Sequence, residues 1–274
     1  MKRRFLALAM LAISTPGLAQ DQAPGGAEGR STLSTERFIL GPGRFSLATG
    51  FDFSSGKYGT ADSTDILYVP VTGKYQTDKA TIKVTVPYIR ITGPGGVAYG
   101  IGPLGETTAT TIVTTDSGLG DVITSAGYTV YEDDTLALDL VGKIKFGTAD
   151  ANKGLGTGKT DYSAQIDGDY TRNTNTFFGT VGYKKYGAPV DGETLRNVPY
   201  GTIGASHRLG NRTRAGAMFY MKQSPSIFTG NQREATVYIW TKILPSVKVE
   251  ANASRGFAKG SPDFGFGAMI THTF

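Results

Sequence analysis

The sequence predicts an all-β fold: a transmembrane antiparallel β-barrel of about 12 strands behind an N-terminal signal peptide. Three observations predict it. From Arg44 onward, large apolar residues alternate with polar ones at period two; short and long connections alternate between those segments; and residues 1–19 have the form of an export signal.

The signal comes first in the chain. Lys2, Arg3 and Arg4 form a cationic start, Phe5 to Ile13 an apolar run too short to span a bilayer, and Gly17, Leu18 and Ala19 a small-residue cleavage site. Its removal leaves 25 basic against 23 acidic residues instead of 28 against 23, so the high pI comes partly from a discarded peptide and nucleic acid is not an expected partner. The 38 Gly in 274 residues are about twice the usual share, which argues against a large helical enzyme. Without Cys there is no disulfide, zinc–thiolate site, thiol nucleophile or N-terminal Cys for a lipid. After the signal no window holds 18 consecutive apolar residues, so helical membrane spans are excluded.

Residues 20–42, rich in Gly, Pro, Ser and Gln, read as a flexible periplasmic arm, and residues 43–274 as the barrel. In the first strand Phe45, Leu47, Thr49, Phe51 and Phe53 share one face. The second sets Leu67, Val69 and Val71 against Tyr68, Pro70, Thr72 and Lys74, and the third sets Ile82, Val84 and Val86 against Thr81, Lys83 and Thr85. The fourth opposes Val122, Ala126, Tyr128 and Val130 to Asp121, Ser125, Gly127 and Thr129. In the fifth, Leu136, Leu138, Leu140, Ile144 and Phe146 oppose Asp139, Lys143 and Lys145; in the sixth, Tyr162, Ala164, Ile166 and Tyr170 oppose Ser163, Gln165, Asp167 and Asp169. Six further segments follow, at 177–183, 203–209, 215–221, 235–243, 247–253 and 264–274.

A soluble β-sandwich also alternates, but two details favour a membrane barrel. Tyr75, Tyr128, Phe146, Tyr162 and Tyr170 collect near strand ends on the apolar face, where a membrane interface takes amphipathic rings. The last strand ends on Phe274, which resembles the C-terminal signature read by the barrel assembly machinery, an expected partner beside lipid.

At family level the chain is similar to the outer-membrane transporters grouped as the meta-pathway of phenol degradation family. The similarity is carried by Gly50 to Gly59 (GFDFSSGKYG), Leu67 to Val71 (LYVPV), Val86 to Gly95 (VPYIRITGPG), Ser117 to Asp121 (SGLGD) and Thr148 to Gly158 (TADANKGLGTG). It runs from about Arg44 to Phe274. The resemblance implies a passive channel in the bacterial outer membrane for small organic compounds, and it carries over no binding residues.

Three tempting motifs read as structural. Gly154 to Thr160 resembles a phosphate-binding loop, but Lys153 stands where the first Gly is required and a strand follows instead of a helix, so a flexible extracellular loop is expected. Asp150, Asn152 and Asp161 fit the first, third and twelfth places of a calcium loop, yet Leu155 replaces its Gly and no Glu closes it. Ser206 and His207 are adjacent on a strand, as are Thr271, His272 and Thr273, so base and nucleophile face opposite sides; no enzyme and no cofactor is expected. Trp240 has inward parity, which a one-residue bulge would reverse, and its facing stays open.

Lys83, Asp121, Asp139, Lys143, Lys145, Asp167, Asp169, Lys184, Arg214 and Lys222 all lie opposite the lipid face and are the candidate pore-lining residues. Pairing the fifth and sixth strands about their loop sets Lys143 opposite Gln165, Lys145 opposite Ser163 and Asp139 near Asp169. Extending the inward parity to strand ends adds Arg44, Lys74, Lys79, Arg208, Arg212, Lys242 and Lys248, and Asp52, Glu234 and Glu250, for 13 basic against 7 acidic positions and a lumen that favours anions. Twelve strands leave a bore of roughly 10 Å. The Gly-rich segment 93–118 either folds inward as a constriction or lies outside. The expected function is passive transport of small solutes, with aromatic or other small organic acids as candidate cargo; a structural or surface-interaction barrel with a plugged lumen is the alternative.

Overall fold

The computed structural model describes residues 43–60, 62–94, 97–103, 113–187 and 195–274. The expected signal peptide and periplasmic arm, 1–42, lie outside the described residues. The strands are β1 (Arg44–Gly56), β2 (Thr64–Gln76), β3 (Ala80–Gly93), β4 in two pieces (Thr114–Leu119 and Ile123–Glu132), β5 (Leu136–Lys145), β6 (Asp161–Arg172), β7 (Asn175–Lys185), β8 (Val198–Arg208), β9 (Thr213–Lys222), β10 (Gln232–Leu244), β11 (Val247–Gly256) and β12 (Phe264–Thr273). Each pairs antiparallel with the next, and β12 returns to β1 from Ser46↔Thr273 to Ser55↔Phe264, which closes a 12-strand barrel without an edge.

Alternation holds around the barrel. Leu140, Ile166, Val181, Ile203, Val237, Ile239 and Phe266 project outward and are exposed, whereas their sequence neighbours Val141, Gln165, Gly182, Thr202, Tyr238 and Trp240 point inward and are buried. An exposed apolar belt on every face of a closed barrel is a lipid-facing surface; charge there costs about 2–4 kcal/mol per residue at midplane. No helix among the described residues is long and apolar enough to cross a membrane, so the crossing is made by strands.

One expectation about the connections is corrected. The third strand runs on past Val86 to Gly93, and residues 114–119 pair with it from Tyr88↔Leu119 to Gly93↔Thr114, so both ends of the supposed 93–118 loop are wall. Sequence alternation hid this because Pro87 and Gly120 interrupt the pattern; the break at Gly120 is still bridged, its N–H donating to the Pro87 carbonyl at 2.8 Å. A register shift between Thr129 and Tyr131 bends the far end of β4, and another between Lys242 and Leu244 lies beyond Trp240, so it leaves that ring facing inward.

Candidate functional site

All ten candidate lining residues face the interior; nine are buried and Asp139 is half-buried. Their pairing differs from the expected one by two residues: Lys143 lies opposite Ser163, Lys145 opposite Asp161, and Asp139 opposite Asp167. The loop between β5 and β6 is not a symmetric turn, because it carries the 3-10 turn Ala151–Lys153 and folds back into the barrel, so its midpoint does not set the register.

That register assembles a buried ion cluster at the extracellular end. The Lys145 ammonium sits on Asp121 and lies 3.4 Å from Asp161, which is itself 3.6 Å from the Lys184 ammonium. Lys145 also donates to the Lys159 carbonyl at 3.1 Å, and Asp121 accepts from the Ala149 N–H at 2.9 Å. The cluster therefore pins the loop 147–160 to the wall. A second network lies deeper: Gln165 donates to both Asp167 oxygens at 2.7 and 2.8 Å, Thr180 donates to Asp167 at 2.6 Å, and the Tyr200 hydroxyl donates to Gln165 at 2.8 Å. Arg214 donates to Thr176 and Ser206 at 2.7 and 2.8 Å.

Aromatic side chains also point inward, a feature the expected lipid girdle did not include. Tyr200, Tyr220, Tyr238 and Trp240 form a buried cluster with Met218 on β8 to β10. The Lys143 ammonium lies 5.5 Å from the Tyr200 ring centre and that of Lys248 5.6 Å from the Trp240 ring. Alternation made Tyr220, Tyr238 and Trp240 legible as inward; Tyr200 was missed because the eighth strand begins at Val198, earlier than its apolar pattern suggests.

The expected anionic preference loses its charge basis. Arg44, Lys79, Arg212 and Lys242 are exposed at the strand ends, not buried in the lumen. Asp116, read as a loop residue, instead stands on a strand and faces in opposite Ile91, and Asp161, left out of the lining count, opens β6 and faces in opposite Lys145. Among the described residues the buried and half-buried inward charges number nine basic and nine acidic.

Nor is a bore of about 10 Å open. Asp52, Tyr220 and Glu234 are 0% exposed, because long Lys and aromatic side chains alternate around the inner wall and chain segments enter from the extracellular end. Val97, Ala98, Tyr99 and Ile101, inside the Gly-rich connection between β3 and β4, are buried. Tyr99 stacks on Tyr68 and its N–H donates to the Gly154 carbonyl at 3.0 Å; Lys222, on β9, donates to the Gly100 carbonyl at 3.1 Å. The 97–103 segment thus joins the β2–β3 wall to β9. Residues 104–112 lie outside the described residues. The loop 147–160, expected to be free, is packed beneath this segment. Leu155 and Thr157 are buried, and Gly154 sits at φ +68° with the Val97 carbonyl 2.9 Å from where a Cβ would be.

The remaining motifs have structural places. Asp150 caps the 3-10 turn by accepting from the Asn152 N–H at 3.0 Å, and Asp161 faces Lys145 and Lys184. Among the described residues no group of three or more His, Cys, Asp or Glu is placed to hold a metal. Ser206 is buried while His207 is exposed, its Nδ1 2.7 Å from Asn175 Oδ1. Outside the strands, burial pushes the Tyr58 phenol well above its usual range, against the pull of its hydrogen bond with Ser54.

No family model and no curated protein matches the sequence. The fold is similar to that of an outer-membrane channel from Pseudomonas putida F1, with a TM-score of 0.68 and 11% identity over 88% of this chain and 100% of that one. It is also similar to the NanC porin, with a TM-score of 0.51 and 12% identity over 83% and 98%. These likenesses are of fold. Together with the closed wall and its apolar belt, they make the chain a bacterial outer-membrane β-barrel.

Proposed function

We propose that the chain is a passive outer-membrane channel for small organic solutes, shut in this conformation by the segment 97–103. One observation carries the reading: the mouth of the lumen is covered by a loop segment that packs on the β2–β3 wall and is tethered to β9, in addition to the side chains of the wall itself. A segment over the mouth can move aside while the wall stays intact, which side chains filling the lumen from the wall alone do not allow. The similar channel from Pseudomonas putida F1 adds support through its fold.

The finer reading is that the cargo includes aromatic or other small organic acids, as the resemblance to the phenol-degradation transporters implies. Lys143 over Tyr200 sets a cation beside a ring, a pairing that suits a ring bearing a carboxylate. In this reading Lys83, Asp121, Asp139, Lys143, Lys145, Asp167, Asp169, Lys184, Arg214 and Lys222 line the path, residues 1–19 are the export signal, and the assembly machinery takes the chain by β12 and Phe274.

The second reading, a plugged structural or surface-interaction barrel, is favoured by the burial of the lining. Conductance of the purified protein in a planar bilayer, with benzoate and related acids added as blockers, separates the two. Resolvable current reduced by the acids supports the channel and its cargo; current insensitive to them keeps the channel and removes the cargo; no current leaves the plugged barrel.

A further inference from the structure

The two sides of the lumen differ in how their polar atoms are satisfied. On β5 to β8 most of the side chains answer one another, as in the chain from Tyr200 through Gln165 and Asp167 to Thr180. On β10 and β11 Asn252 donates to Asp52 and Gln232 to the Gly260 carbonyl, but more atoms are left over. Gln232 Oε1, Thr236 Oγ1, Trp240 Nε1, both Glu250 oxygens, Asn252 Oδ1 and Ser254 Oγ are buried with no hydrogen-bonding partner in the protein. Each of these side chains is more than nine-tenths buried. Elsewhere in the lumen such atoms are scattered; here they form one surface, because Trp240 pairs with Glu250 and Thr236 with Ser254 across the two strands. From Gln232 at the extracellular end to Trp240 the strip runs roughly 26 Å along the strand.

Buried polar atoms without partners are rare in folded proteins because they forfeit hydrogen bonds made in water, and a run of them on one wall marks where something else supplies the bonds. We infer that the inner face of β10 and β11 is the surface along which a solute passes, and that it takes small neutral polyhydroxylated molecules. Glu250, Asn252 and Gln232 offer acceptor oxygens, the Trp240 indole a donor, and Thr236 and Ser254 hydroxyls that serve as either, so a solute carrying O–H groups finds both kinds of partner in succession. This face has no excess of positive charge to draw an anion, since Asp52 on β1 and Glu234 lie on it beside Lys248. The inference rests on the channel reading, independently of the organic-acid cargo, and names a wall of the lumen and the solute groups it takes.

Influx of labelled arabitol into proteoliposomes tests it, with KCl conductance of the same preparations reporting inserted, conducting barrels. Wild-type protein should pass arabitol, and Glu250→Gln combined with Asn252→Leu should slow influx at least fivefold while KCl conductance persists. Ser125→Ala, on β4 across the barrel, should leave influx as in wild type. A single Trp240→Phe variant, which removes the indole N–H and keeps an aromatic ring, should slow influx in the same direction and guards against a folding defect in the double variant. Unchanged influx in both β10–β11 variants, or an equal loss in Ser125→Ala, would overturn the inference while leaving the channel standing. Wild-type protein that passes neither ions nor arabitol would overturn both.

Discussion

Tyr99 lies flat on Tyr68, ring centres 5.4 Å apart and planes within 11° of parallel. The pair joins an inserted loop to the inner face of β2, in a cluster with Ile66, Ile89, Ile91, Val97 and Leu155. At this level the barrel's chemistry inverts: Ile89 and Ile91 face in, while Arg90 between them is exposed on the outside. Above the apolar belt the wall has water outside and packed loops within, so the same alternation serves the opposite partition.

Lys145 holds the loop 147–160 through Asp121 and Asp161. Replacing it with Met leaves the buried Asp121 without its cation and Asp161 with Lys184 alone, a loss of about 3–5 kcal/mol. Lys145→Met should unfold at lower urea in lipid vesicles, and adding Asp121→Asn should recover part of the loss. Wild-type stability in the single variant would show that the cluster is not an anchor.

Ile166 faces lipid in the middle of β6, opposite Leu140. Ile166→Arg should lower folding stability by about 2–4 kcal/mol, while Thr174→Arg, in the exposed turn between β6 and β7, should leave it within about 0.5 kcal/mol. Equal effects in reversible folding would contradict the assignment of inside and outside on β6.

Much of this was legible in the sequence, for a definite reason. Parity depends only on whether a residue number is odd or even within a strand, so the inward facing of all ten charged candidates and the inward parity of Trp240 could be read without knowing any pairing. Register depends on loop shape, which local sequence does not reveal: Lys145 meets Asp161 and not Ser163 because the loop between them folds inward. The inner seal was illegible for a related reason. Val97, Tyr99 and Ile101 sit in a Gly-rich stretch whose burial comes from β2, β3 and β9, all distant in sequence. The lumen's charge excess vanished at the strand ends, where a residue's number no longer decides whether it is buried.

Gly267 on β12 leaves room for Asp52 to meet Asn252 across it: a Cβ there would come 2.1 Å from Asp52 Oδ1, which accepts from Asn252 Nδ2 at 3.4 Å. Gly267→Val should destabilise the barrel by about 1–3 kcal/mol, read as a lower midpoint in urea. An unchanged midpoint would mean that Asp52 moves aside freely.

Asp133 ties the turn between β4 and β5, accepting from the Thr135 and Leu136 N–H groups at 2.7 and 2.8 Å and from the Tyr131 hydroxyl at 2.8 Å. The backbone donors first, then the side chains, stabilise the carboxylate and hold its pKa well below the ordinary 3.8. A depressed folded value means that its contribution is present above the unfolded value and is lost only as pH falls through the folded one. Carboxyl NMR should find Asp133 still ionised at pH 3, and titration at the ordinary value would show that the turn is open in solution.

The account turns on a lumen that conducts when the 97–103 segment lets go. Single-channel recording of wild-type and Tyr99→Ala protein in a planar bilayer tests this most directly, since the substitution removes the stack on Tyr68 and leaves the wall and the Lys222 tether intact. The account predicts brief or low-amplitude openings in wild type and at least a threefold rise in open probability or conductance in Tyr99→Ala. Correctly inserted barrels that stay silent in both, or a wild-type current that the substitution leaves unchanged, would contradict it.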